Sequence, residues 1–166
     1  WSSDVCSSDL GSYAMHSFNR TFYGLSGKAQ LQHEMGRTWT AVLTYQRGAR
    51  FIESFAEPFF TDEVIASLGG LVGRRVNVHA TGNATIGQIG LPNEAVSARE
   101  YRSYNAVTGL SFALSRHLSL TADYLYYSVD FGSYLSLPAG YPRQLARNGA
   151  RVTLSTWVPL IQRRRA

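Results

Sequence analysis

The sequence predicts an all-β fold, an antiparallel up-and-down meander of about seven long strands. Three observations carry that prediction. Apolar and polar residues alternate with period two over stretches of ten or more residues, connections alternate between short and long, and no segment holds a sustained helical stripe. Composition agrees. Only 16% of the 166 residues are charged, against roughly 25% in ordinary soluble chains, while 13% are aromatic and 15 residues are glycine. The mean hydropathy of −0.14 therefore comes from Ser, Thr, Asn, Gln, Tyr and Gly, a mixture that suits sheets with one wet and one greasy face.

The first strand is expected over 22–34, where Tyr23, Leu25, Gly27, Ala29 and Leu31 share one face and Lys28, Gln30, Gln32 and Glu34 share the other. From Trp39 the next strand sets Ala41, Leu43 and Tyr45 against Thr40, Val42, Thr44 and Gln46. The segment 62–72 alternates less cleanly, with Val64, Ala66, Leu68 and Val72 opposed by Ile65 and Leu71. Asp62–Leu68 has some helical character, but Gly69 and Gly70 weaken it, and the strand reading stands. The strand over 76–87 opposes Val76, Val78, Ala80 and Ala84 to Asn77, His79, Thr81 and Asn83. Strands over 101–114, 118–130 and 149–160 follow. They place Tyr104, Leu110 and Phe112, then Leu120, Tyr124 and Tyr126, then Val152 and Leu154 on apolar faces, with Asp123 and Arg151 on polar ones.

Short turns are expected at Gly36-Arg37-Thr38, Gly73-Arg74-Arg75 and Ser115-Arg116-His117, and long connections near 48–61, 88–100 and 131–147. All short turns then lie at one end of the sheet and all long loops at the other. Residues 22–160 form the β segment, residues 11–21 a loop or the remnant of a further strand, and residues 161–166 a basic tail.

Alternation alone fits two architectures: a soluble barrel or sandwich with its apolar face inside, or a transmembrane barrel with that face toward lipid. Strand length, the asymmetry of the connections and the position of the aromatics favour the second. A bilayer crossing needs about 9–11 residues per strand, and soluble strands usually have about 5–6. Tyr23, Trp39, Tyr45, Tyr104, Phe112, Tyr124 and Tyr126 are the candidate lipid-interface aromatics, rings with an apolar body and, for Tyr and Trp, a polar tip. Lys28, Gln30, Gln32, Glu34, Asn77, His79, Asn83, Asp123 and Arg151 are the candidate lumen-facing polar residues, which would set ion preference or brace the interior. A soluble barrel that binds a small ligand is the alternative from a different class, and a barrel-embedded hydrolase or acyltransferase the third.

Signals for chemistry are weak. Gly24–Ala29 lacks the glycine spacing and the Ser/Thr of a phosphate-binding loop, and no Gly-x-Ser-x-Gly occurs. His16, His33, His79 and His117 lack metal-ligand spacing, and Asp62-Glu63 reads as a solvated strand end. The net charge of +5 comes almost wholly from arginine, Lys28 being the only lysine, and no basic face with interleaved aromatics suggests nucleic acid. No cofactor and no enzyme activity are expected.

The alternating strands, the turns GRT, GRR and SRH, and the final strand RVTLSTWVPL resemble the C-terminal part of bacterial outer-membrane β-barrel proteins of the porin-like kind, over roughly residues 19–160. The resemblance implies a Gram-negative outer membrane, contact with its lipid, a lumen passing small solutes, and insertion machinery that reads an aromatic-bearing last strand. The tail IQRRRA after Trp157 departs from the terminal aromatic usual there. Such barrels have even strand counts from eight upward. Seven strands therefore imply a missing N-terminal strand and an open or incompletely closed barrel. The opening WSSDVCSSDL resembles the translation of the end of a common sequencing-adapter DNA. On that reading residues 1–10, including the only cysteine, Cys6, are not natural to the protein and pack against nothing.

Overall fold

The computed structural model describes residues 4–17, 20–50, 59–89, 100–132, 140 and 142–157. Eight strands follow in order: β1 (Asp4–Ser17), β2 (Arg20–Met35), β3 (Trp39–Arg50), β4 (Phe59–Val72), β5 (Val76–Ile89), β6 (Glu100–Ala113), β7 (Leu118–Phe131) and β8 (Gln144–Thr156). They form one sheet in chain order, each strand antiparallel to the next. The sheet is not closed, since β1 and β8 do not pair. The expected meander is present, with one more strand than the alternation indicated.

That extra strand corrects two expectations. Residues 1–10 do not pack against nothing: Asp4 to Leu10 pair with His33 to Gly27, and the strand runs on through most of 11–21. An open sheet edge presents a row of unpaired N–H and C=O groups, and these take up an extended segment whatever its side chains. The last strand, expected over 149–160, is corrected too: it begins at Gln144 and ends at Thr156, and residues 158–160 lie outside the described ones. Leu145 lies on the polar face and Asn148 on the apolar one, so no contrast in side chains marks its first half. The tail 161–166 and most of the three long connections lie outside the described residues.

The three short turns lie where expected. Their closing pairs are Met35–Trp39, Val72–Val76 and Leu114–Leu118, the last through Leu114 N–H donating to the Leu118 carbonyl at 3.0 Å. Gly36 and Gly73 open their turns at φ 67° and 70°, backbone that glycine adopts without the clash a Cβ would bring. Successive turns are staggered. Thr40 pairs with Gly69 and Val76 with Phe112, so each turn lies two residues beyond the one before. A slide of about 6.8 Å for every two strand spacings of about 4.8 Å sets the strands roughly 35° from the normal to the line that joins the turns, within the tilt range of barrel strands.

The polarity of the two faces is inverted relative to a soluble domain. Among the described residues the buried apolar side chain is Val129, whereas Thr44, Thr61, Glu63, Thr85 and Asp123 are buried and polar. Large apolar side chains are exposed along the opposite face, including Leu43, Val64, Leu110, Tyr124, Val152 and Leu154. Among the described strand residues, Val5, Leu71 and Tyr127 are the large apolar side chains exposed on the polar side. Trp39 lies flat over Gly70 on the next strand, where a Cβ would collide with the indole.

Candidate functional site on the polar face

Because paired residues share a face, the ladder assigns each side chain. Lys28, Gln30, Gln32 and Glu34 of β2, Asn77, His79 and Asn83 of β5, Asp123 of β7 and Arg151 of β8 all fall on the sheltered polar face. One row crosses seven strands as Glu34, Thr40, Gly69, His79, Gly109, Asp123 and Arg151. In it the structure brings three of the candidates together. Arg151 donates to Asp123 Oδ2 from Nε at 3.0 Å and from Nη2 at 2.7 Å, and His79 Nε2 lies 3.1 Å from Asp123 Oδ1. The carboxylate is 3% exposed and has a partner on each oxygen.

His79 and Asp123 stand on β5 and β7, with β6 between them. Gly109 makes the bridge possible: a Cβ there would collide with both the carboxylate and the imidazole. Sequence reasoning missed this glycine, because its role depends on which strand lies between two others. The arrangement is a cross-strand brace. It holds a carboxylate, an imidazole and a guanidinium without a hydroxyl or thiol bonded to the imidazole ring, so it lacks the nucleophile of a triad among the described residues.

A second cluster centres on Glu63, which is 4% exposed. Gln46 Nε2 donates to Oε2, and Asn83 Nδ2 donates to Oε1 at 2.7 Å. Asp62 and Glu63 are therefore not one solvated acidic end. Period two sends Glu63 to the polar face and Asp62 to the apolar one, where Tyr45 donates its hydroxyl to Asp62 Oδ1 at 2.6 Å and Arg47 lies 3.7 Å away. Lys28 opens onto a cleft of about 430 Å³ at the fork where β2 stops pairing with β3 beyond Gly27–Arg47. Gln30, Gln32 and Asn77 make no side-chain bond to the two clusters among the described residues. The face is not uniformly polar, since Val42, Ile65, Val107 and Leu125 share its rows.

The seven aromatics, Tyr23, Trp39, Tyr45, Tyr104, Phe112, Tyr124 and Tyr126, all fall on the other face. Trp39 and Phe112 lie within two residues of a closing pair, and the tyrosines lie farther toward the long connections. The ladder reveals a boundary that the linear sequence hid. Between the short turns and the row Arg47, Asp62, Arg102, Asp130, the apolar face of β3–β7 carries no Asp, Glu, Lys or Arg. With a rise of about 3.4 Å per residue and a tilt of about 35°, that uncharged band is roughly 22–33 Å tall.

Among the described residues no group of His, Cys, Asp or Glu has the arrangement to hold a metal ion. No protein-family model, curated protein or solved structure matches the chain.

Proposed function

We propose that the chain is a segment of a bacterial outer-membrane β-barrel of the porin-like kind, with its apolar face toward lipid and its polar face lining a hydrated lumen. The inverted polarity carries this reading: Thr44, Thr61, Glu63, Thr85 and Asp123 are buried on the polar face, the two carboxylates bonded, while large apolar side chains are exposed on the other. A soluble barrel that binds a ligand would bury those apolar residues instead. Leu110 is 40% exposed and Leu154 63%, and neither enters a packed interior. The uncharged band supports the reading, since transmembrane barrels carry an apolar belt about 25 Å tall. The bonded carboxylates brace the wall against which small solutes diffuse, and lipid and the insertion machinery are the partners.

Folding from urea tests it. Diluted into phosphatidylcholine vesicles, the chain is expected to gain β-sheet circular dichroism and protease protection together, and to make the vesicles leak a small dye. A monodisperse, folded protein in buffer without amphiphile overturns the membrane reading. Insertion without leakage leaves the barrel and removes the pore.

A further inference from the structure

We propose that the short-turn end of the sheet is a docking surface for anionic phospholipid headgroups, an inference that rests on the membrane reading above. Each short turn carries arginine directly after its first residue: Arg37, Arg74 with Arg75, and Arg116. All four are exposed, and none makes a side-chain hydrogen bond or ion pair among the described residues. The turns themselves contain no acid. On the flanking strands Glu34 belongs to the polar face, and Asp4 is taken by the imidazole of His33.

The opposite end of the apolar face is different. There Arg47 is answered by Asp62, and Asp130 accepts from Gln144 Nε2 at 3.1 Å. Among the described residues, then, Arg47 and Asp130 at one end of the apolar face have side-chain partners, and the four turn guanidiniums at the other have none.

Geometry adds a second reason. The stagger is the same two residues at each step, so the three turns lie along one straight line oblique to the strands. Neighbouring turns are two strands apart, about 12 Å along that line. The uncharged band begins directly beside them, with Trp39, Val76 and Phe112 within two residues of a closing pair. A row of guanidiniums at the edge of an apolar belt meets the depth at which acyl chains give way to phosphates. The planar guanidinium engages phosphate oxygens in pairs. Phosphatidylglycerol-type headgroups match this surface, because they add net negative charge that zwitterionic lipids lack.

Trp39 and Trp157 report on this end; the Trp157 ring stacks on His117 of the third turn at 5.9 Å. The full chain, with Trp1→Phe to silence the remaining indole, would be folded into phosphatidylcholine vesicles. These would contain a small fraction of either brominated phosphatidylglycerol or brominated phosphatidylcholine. The expected result is fluorescence quenching about fivefold stronger per mole for phosphatidylglycerol at low salt, falling toward the phosphatidylcholine value at high salt. Substituting Arg37, Arg74, Arg75 and Arg116 with Gln is expected to abolish the preference and to keep the phosphatidylcholine quenching. Arg37→Gln alone is expected to reduce it, which keeps the test if the fourfold variant fails to insert. Equal quenching by the two lipids overturns the headgroup proposal alone. No quenching by either overturns the membrane reading, and the headgroup proposal with it.

Discussion

β1 and β7 are both strands of 14 residues, and they are held in the sheet by different means. In β7 the apolar side is consistent: Leu120, Ala122, Tyr124 and Tyr126 lie on it with no charged residue before Asp130, and the buried Asp123 lies on the polar side. In β1 it is not. Val5 joins Gln32 on the polar face, and Asp4, Ser8 and Ser12 join His33, Ala29 and Leu25 on the apolar one. The connections differ as well. β7 is reached through a three-residue turn at the arginine end, while only residues 18 and 19 separate β1 from β2, at the end where the other connections are long. Backbone pairing accepts any extended segment, and side-chain alternation decides which segments belong to a two-faced sheet. A non-natural origin for residues 1–10 is the reading we propose for a strand that pairs while its faces stay mixed, Cys6 and Leu10 lying on the apolar face beside Asp4 and Ser8.

The contrast is sharpest in response to charge on the apolar face. Leu110→Arg places a guanidinium inside the uncharged band and is expected to destabilise the lipid-embedded protein by about 2–4 kcal/mol. Cys6→Arg, on the same face of β1, is expected to change stability by less than about 0.5 kcal/mol. Urea titrations from vesicles measure both, and equal losses would place β1 in the same band as β6.

A smaller loss is expected for Arg151→Gln, which leaves the Asp123 carboxylate with His79 alone. Arg147→Gln, four residues earlier on β8, is the control. Arg147 lies opposite Tyr127 and not opposite a carboxylate, so its variant is expected to keep the parent unfolding midpoint. A common drop would show that β8 depends on its total charge and not on the brace.

Gly109→Ala is expected to cost about 1–2 kcal/mol, because the methyl enters the space shared by Asp123 and His79. The same substitution at Gly82, where the nearest heavy atom is the Asn105 carbonyl oxygen at 3.8 Å, is the sterically permitted counterpart. Thermal unfolding of the two variants separates a steric effect of the bridge from the general cost of changing a strand glycine.

Much of this architecture was legible because period two is a local signal. Tyr23 to Glu34 and Leu118 to Asp130 show their two faces without reference to any other strand. The same property set all nine polar and seven aromatic candidates on their faces. What could not be read were relations between strands. Gly109 matters because it lies between His79 and Asp123, and no spacing along the chain encodes that register. Glu63 was hidden beside Asp62, since two adjacent acids look alike until a ladder sends them to opposite sides. The uncharged band was hidden for the same reason, its boundary being drawn by Arg47, Asp62, Arg102 and Asp130 on four different strands.

The stagger of the turns also fixes how such a wall can grow or shrink. A move of two strands across combined with a slide of two residues along carries one hairpin onto the next, so the sheet repeats as a screw whose unit is the hairpin. Adding or removing a whole hairpin preserves the screw and keeps every turn at the arginine end. Adding or removing a single strand reverses the direction of all that follow and sends their turns to the opposite rim. A sheet built this way would therefore change in width by hairpins, with the arginine-bearing end carried along at each step.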